Sequence, residues 1–174
     1  MIFLLGTLGV IQGYAISLGV GASTLAILNF FSAIADGTID DTERRMMGIV
    51  YRVLRVAMLT ILLSTLALLY LQFIYHGLSS FTMLQWGQIL ALLVLFLNAA
   101  LMTAHLMPST FGPAIQAGNW YTLGFLTSLK ALGVVNFSIM QLFLAYITWL
   151  VLATAIVNGA MALMKAKRHG FLNK

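Results

Sequence analysis

The chain has 174 residues, of which 61% are hydrophobic and 7% charged, where an ordinary soluble domain carries about 25% charged residues. A mean hydropathy of +1.01 over the whole length leaves no room for a separate soluble domain, so residues 1–174 are read as one all-α bundle in a membrane. Cysteine is absent, which excludes disulfides and thiolate chemistry, and the net charge of +5 is read as contact with anionic membrane lipid rather than with nucleic acid.

No charge occurs between Met1 and Phe31, well beyond the roughly 20 apolar residues that cross a bilayer. A first transmembrane helix is predicted over about 2–31. The run is too long for a signal-peptide core and lacks a basic leader, so it reads as retained. Gly6, Gly9, Gly13, Ser17, Gly21 and Thr24 step by three or four residues and share one stripe. In lipid, helices approach most closely where side chains are small. The stripe is therefore expected to be the central seam of the bundle, met by a helix of the same chain or of a second copy.

All four acidic residues lie between Ser32 and Arg45. Asp36-Gly37 is a turn signal, and Asp40 followed by Glu43 is a capping-box variant that should start a helix near Asp41. Arg44, Arg45, Arg52 and Arg55 precede the charge-free run Val56 to Tyr75. The second span is set at about 46–75, with its first turns at the interface and the arginines snorkelling. A neutral loop leads to a third span at about 84–106, anchored by Trp86 and stopped by Pro108. Phe111 to Met164 is too long for one crossing and enough for two, which gives spans at about 112–132 and 137–164.

Charge decides the count. Five crossings with the N-terminus outside place eight of the nine basic residues on the cytoplasmic side, together with the C-terminus, and leave Lys130 near the other face. Four crossings would separate the two basic clusters, against the positive-inside tendency. The sequence shows no repeat of 20 to 50 residues and no inverted pair of helices.

Gly19-Val20-Gly21-Ala22-Ser23-Thr24, Asp36-Gly37-Thr38-Ile39-Asp40, His105-Leu106-Met107-Pro108 and Asn119-Trp120-Tyr121 occur in this order, with Phe137-Ser138 after them. The order resembles a group of small bacterial multi-pass membrane proteins of uncharacterised function. That resemblance implies an architecture and no activity. In the group a serine precedes the Trp-Tyr pair and a histidine lies in helix 1, where this chain has Asn119 and Gln12 or its neighbours.

Several constellations could carry chemistry. Asp36, Asp40 and Glu43 reproduce the second half of a calcium-binding EF-hand loop, but Ser32 and Ile34 stand where its first carboxylates belong, and a turn with a helix cap accounts for the same residues. Met102 and His105, three apart near other methionines, suit copper(I), although methionine also fills gaps in apolar packing. A haem between two histidines fails on distance, because His76 and His105 close opposite ends of adjacent spans about 30 Å apart. One histidine with an unknown second ligand is the remaining haem arrangement. Thr24, Asn29, Asn98, His105, Asn119 and Gln141 are candidates for an internal polar path, with interhelical hydrogen bonds as the alternative.

Neither an intramembrane carboxylate nor an enzyme motif accompanies these residues. The expected function is a small transport or channel-like unit for a solute or ion in a bacterial inner membrane. The alternatives are a structural subunit of a membrane complex or homo-oligomer, and a haem- or copper-binding redox protein.

Overall fold

Three helices begin at reciprocal caps that satisfy backbone N–H groups otherwise left without partners. Asp40 Oδ1 accepts from the Glu43 N–H at 2.6 Å, and Glu43 Oε2 accepts from the Asp40 N–H at 3.2 Å. Thr82 with Gln85 and Ser138 with Gln141 repeat the arrangement. The computed structural model describes residues 2–36, 40–108, 111–134 and 136–172. Among these residues lie five α-helices and no strand: α1 (Ile2–Asp36), α2 (Asp41–His76), α3 (Met83–Thr103), α4 (Gly112–Ala131) and α5 (Ile139–Leu172).

Asp40→Ala should cost about 1 kcal/mol through loss of the α2 cap, read as a lower unfolding midpoint in detergent. No change would show that the exposed start of α2 frays without consequence.

The helix ends differ from the sequence expectation in a few places. α1 continues to Asp36 rather than stopping near Phe31, and α3 ends at Thr103 rather than running to 106. The cause at α3 is local: His105 adopts φ 57°, a left-handed conformation that ends the helix before Pro108 is reached. α2 and α4 are followed by glycines with φ of 75° and 71°, Gly77 and Gly133, where a side chain would be strained.

Consecutive helices run antiparallel, as their hydrogen bonds show. Gln12 of α1 donates to Thr65 of α2 at 2.8 Å, Gln88 of α3 to Thr127 of α4 at 3.3 Å, and Tyr146 of α5 to Asn119 of α4 at 2.5 Å. α4 packs against α1, α3 and α5, and α1 packs against α2, α4 and α5. The main core joins Ala15 and Ile16 of α1 to Ile61 of α2, Leu95 of α3, and Trp120 and Leu123 of α4. A second cluster ties Val157 and Met161 of α5 to Ala114 and to the end of α1 at Ile27, Phe30 and Phe31.

Four helices, α1, α2, α3 and α5, are long and apolar enough to cross a membrane. α4 is not among them. Its 20 residues span about 30 Å, yet it carries Gln116 and Asn119 and is buried along Gln116 to Trp120. A helix enclosed by its neighbours has little need of an apolar surface facing lipid.

The expected seam on α1 is not where the helix packs. A Cβ built on Gly6, Gly9, Gly13 or Gly21 would meet no atom within 4 Å. The bundle is met instead on the opposite side of α1, through Gln12, Ala15, Gly19, Ala22 and Ser23, all buried. Gly19 makes the close approach: a Cβ there would overlap the ring of Trp120, which is itself wholly buried. Helix 1 carries small residues on two faces. The longer stripe is the open one.

Candidate functional site

The first half of α5 stands off the Ser17–Gly21 side of α1. A groove of ≈ 1100 Å³ lies between α1, α4 and α5, with Gly87 and Leu90 of α3 at its back. Ile16, Ser17, Val20 and Gly21 form one wall, and the second half of α4 and the first half of α5 form the others. The aromatic side chains are Tyr121, Phe125, Phe137, Tyr146 and Trp149, and no charged residue lines the space. A second cleft of ≈ 480 Å³, lined by Trp86, Leu93, Met140 and Phe143 among others, lies on the α3 side of the same half of α5. Voids thus flank the first half of α5, while its second half is held by the Val157 and Met161 cluster.

A few specific contacts hold the loose half in place. Tyr146 OH donates to Asn119 Oδ1 at 2.5 Å, and Trp149 Nε1–H donates to the Gly118 carbonyl at 2.9 Å. The Tyr121 and Trp149 rings meet edge to face at 6.4 Å, a favoured aromatic geometry. The groove lies toward the helix ends away from Arg44, Arg45, Arg52 and Arg55, since α2 begins where α1 finishes and the helices alternate in direction.

Three of the six predicted polar residues sit at separate helix–helix junctions. Thr24 bonds Tyr121 at 2.8 Å, Asn98 bonds the Gly112 carbonyl and Gln116, each at 2.9 Å, and Asn119 bonds Tyr146 and the Ile115 carbonyl. Gln141 caps its own helix and lines the groove. Asn29 is half-buried near the end of α1. His105 is exposed in the turn after α3, at the end away from the groove. Of the six, Gln141 alone lines the groove, while Thr24 and Asn119 support it from behind through Tyr121 and Tyr146.

The metal candidates are also placed. Asp40 and Glu43 face each other in the α2 cap; the side chain of Asp36 lies outside the described ones, as do residues 37–39. Met102 and His105 do not share a helix face, because α3 ends between them. Met102 Sδ instead accepts from Asn98 Nδ2 at 3.5 Å. His76 is exposed at the last residue of α2, and the side chain of His169 lies outside the described ones. Among the described residues no group of three or more histidine, aspartate or glutamate side chains is placed to hold a metal ion.

Sequence reasoning passed over Ser17, Tyr121, Tyr146 and Trp149 as site residues. Tyr121 was visible as part of the Trp-Tyr pair. Tyr146 and Trp149, three residues apart on one helix, carried the spacing of a shared face, but nothing in the chain indicated that this face borders a void. No protein-family model, curated protein or solved structure matches the chain. The class that the structure itself defines is an all-helical protein with four helices long and apolar enough to cross a membrane, and with an uncharged lateral groove between α1, α4 and α5.

Proposed function

We propose that this is a multi-pass protein of the bacterial inner membrane, crossing five times with its N-terminus outside and its C-terminus in the cytoplasm, and that it is a small transport unit for an uncharged, membrane-soluble molecule. The observation that supports this reading is the groove. Its ≈ 1100 Å³ lies just above the roughly 300–1,000 Å³ of ligand sites, and an apolar wall with a few fixed polar groups is the usual character of such sites. Absence of charge in the lining disfavours an ion. α4 counts as the fifth crossing because it lies antiparallel between α3 and α5.

Two experiments test the reading. A reporter active only outside the cytoplasm should work when fused at the N-terminus or at Gly77 and be silent at Thr38 and Lys174; activity at Lys174 would sink the five-crossing arrangement. A photoreactive, uncharged alkyl diazirine added to membranes should label Phe125 and Ala145 in preference to residues on the outer faces of the helices. Labelling spread evenly over all exposed apolar positions would remove the groove as a site.

A second reading, a structural role beside a second copy or another membrane subunit, is favoured by the open Gly6–Gly9–Gly13 face of α1. Small faces of this kind receive helices closely in lipid.

A further inference from the structure

We infer that the groove selects molecules whose polar end donates hydrogen bonds, a long-chain alcohol being the simplest, over molecules whose polar end only accepts them. The inference rests on the groove being the binding site, as proposed above. It follows from where the protons of the lining groups already go. A hydroxyl has one proton and two lone pairs, so a hydroxyl that donates within the protein presents only acceptor capacity to the groove.

Five hydroxyls line the space: Ser17, Tyr121, Thr122, Ser128 and Tyr146. Ser17 donates to the Gly13 carbonyl at 3.0 Å, Thr122 to Gly118 at 2.9 Å and Ser128 to Gly124 at 3.0 Å. In each case the acceptor is the carbonyl four residues earlier, the usual back-bond of a helical hydroxyl. Tyr146 donates to Asn119. Tyr121 follows by elimination. Its phenol oxygen is 2.8 Å from Thr24 Oγ1, and the Thr24 proton is already given to the Val20 carbonyl at 2.7 Å, so the proton between the two oxygens belongs to Tyr121.

The other potential donors fit the same account. Trp149 N–H is committed to the Gly118 carbonyl. Gln141, exposed near the start of α5, is the exception among the lining residues: its Oε1 accepts from the Ser138 N–H, and among the described residues its NH₂ donates to no partner, so it is the one donor left on the wall. Gln141 aside, the polar groups of the groove wall therefore offer lone pairs. An ether, ketone or ester head would meet lone pairs with lone pairs, whereas an alcohol finds a partner without disturbing the wall. Turning a wall hydroxyl outward would break its existing bond, and a typical hydrogen bond is worth enough to give about a tenfold preference.

The test uses the full chain in lipid nanodiscs, with Trp86→Phe to silence the tryptophan of the neighbouring cleft; Trp120 stays as a buried baseline. The probes are 10-bromodecan-1-ol and its methyl ether, 1-bromo-10-methoxydecane, whose bromine quenches tryptophan on contact. The expected result is saturable quenching of Trp149, with the alcohol half-saturating at about a tenfold lower concentration than the ether, and loss of the saturable component in Trp149→Phe. Equal half-saturation by the two probes would overturn the donor preference and leave the groove standing as a site. Quenching that does not saturate with either probe, and that is unchanged in Trp149→Phe, would overturn the groove and the preference together.

Discussion

Gly19→Ala is expected to destabilise the folded protein by about 3 kcal/mol, the upper part of the usual range for overpacking. The added methyl would occupy the space of the Trp120 indole ring. Neither partner can yield cheaply. Trp120 is 0% exposed and belongs to the main core with Ile61, Leu95 and Leu123, and Gly19 is fixed by the α1 backbone. The measurement is the unfolding midpoint in mixed micelles, with the yield of monodisperse protein as a second readout. Trp120→Leu should itself lose stability by leaving a cavity, but Gly19→Ala should then cost far less in that background, a coupling that a double-mutant cycle reads directly. Gly13→Leu, on the open stripe where a Cβ meets nothing within 4 Å, should change stability by no more than about 0.5 kcal/mol. Damage from Gly13→Leu equal to that from Gly19→Ala would restore the stripe as the seam of the bundle.

The second large effect is expected at Asn98, 2% exposed at the α3–α4 interface. Its NH₂ donates to the Gly112 carbonyl and to Gln116 Oε1, each at 2.9 Å, while its own oxygen has no partner. The value of the residue thus lies in its two donors. Asn98→Ala should cost about 2 kcal/mol, since membrane hydrogen bonds reach about 1.7 kcal/mol and an orphaned buried acceptor adds to the loss. Asn98→Asp keeps the shape and removes the donors. At neutral pH it sets a buried carboxylate against two oxygen acceptors, with an expected loss of about 3 to 5 kcal/mol.

The unfolding midpoints of the two variants in detergent check this: Asn98→Asp no worse than Asn98→Ala would show that the donors are unimportant.

Much of the architecture was legible in the residues because its cause is local or compositional. Charge-free runs give helices of membrane length. The Asp40–Glu43 spacing places a cap at the start of α2, and left-handed glycines and prolines punctuate the rest. Pairing was not legible. Gly19 and Gly13 look alike in the sequence, and which glycine receives an aromatic ring depends on where α4 lies. Of the neutral polar residues grouped as a candidate path, Thr24, Asn98 and Asn119 sit at separate interhelical junctions, because each bonds the neighbour that packing brings to it. The hydrophobic content of the chain by itself determined that apolar helices would form, since burying backbone groups in lipid demands internal hydrogen bonds. Tertiary structure decided which helix is enclosed, which small face stays open and where the groove lies, since these depend on how side chains of distant segments fit together and no local pattern encodes that fit.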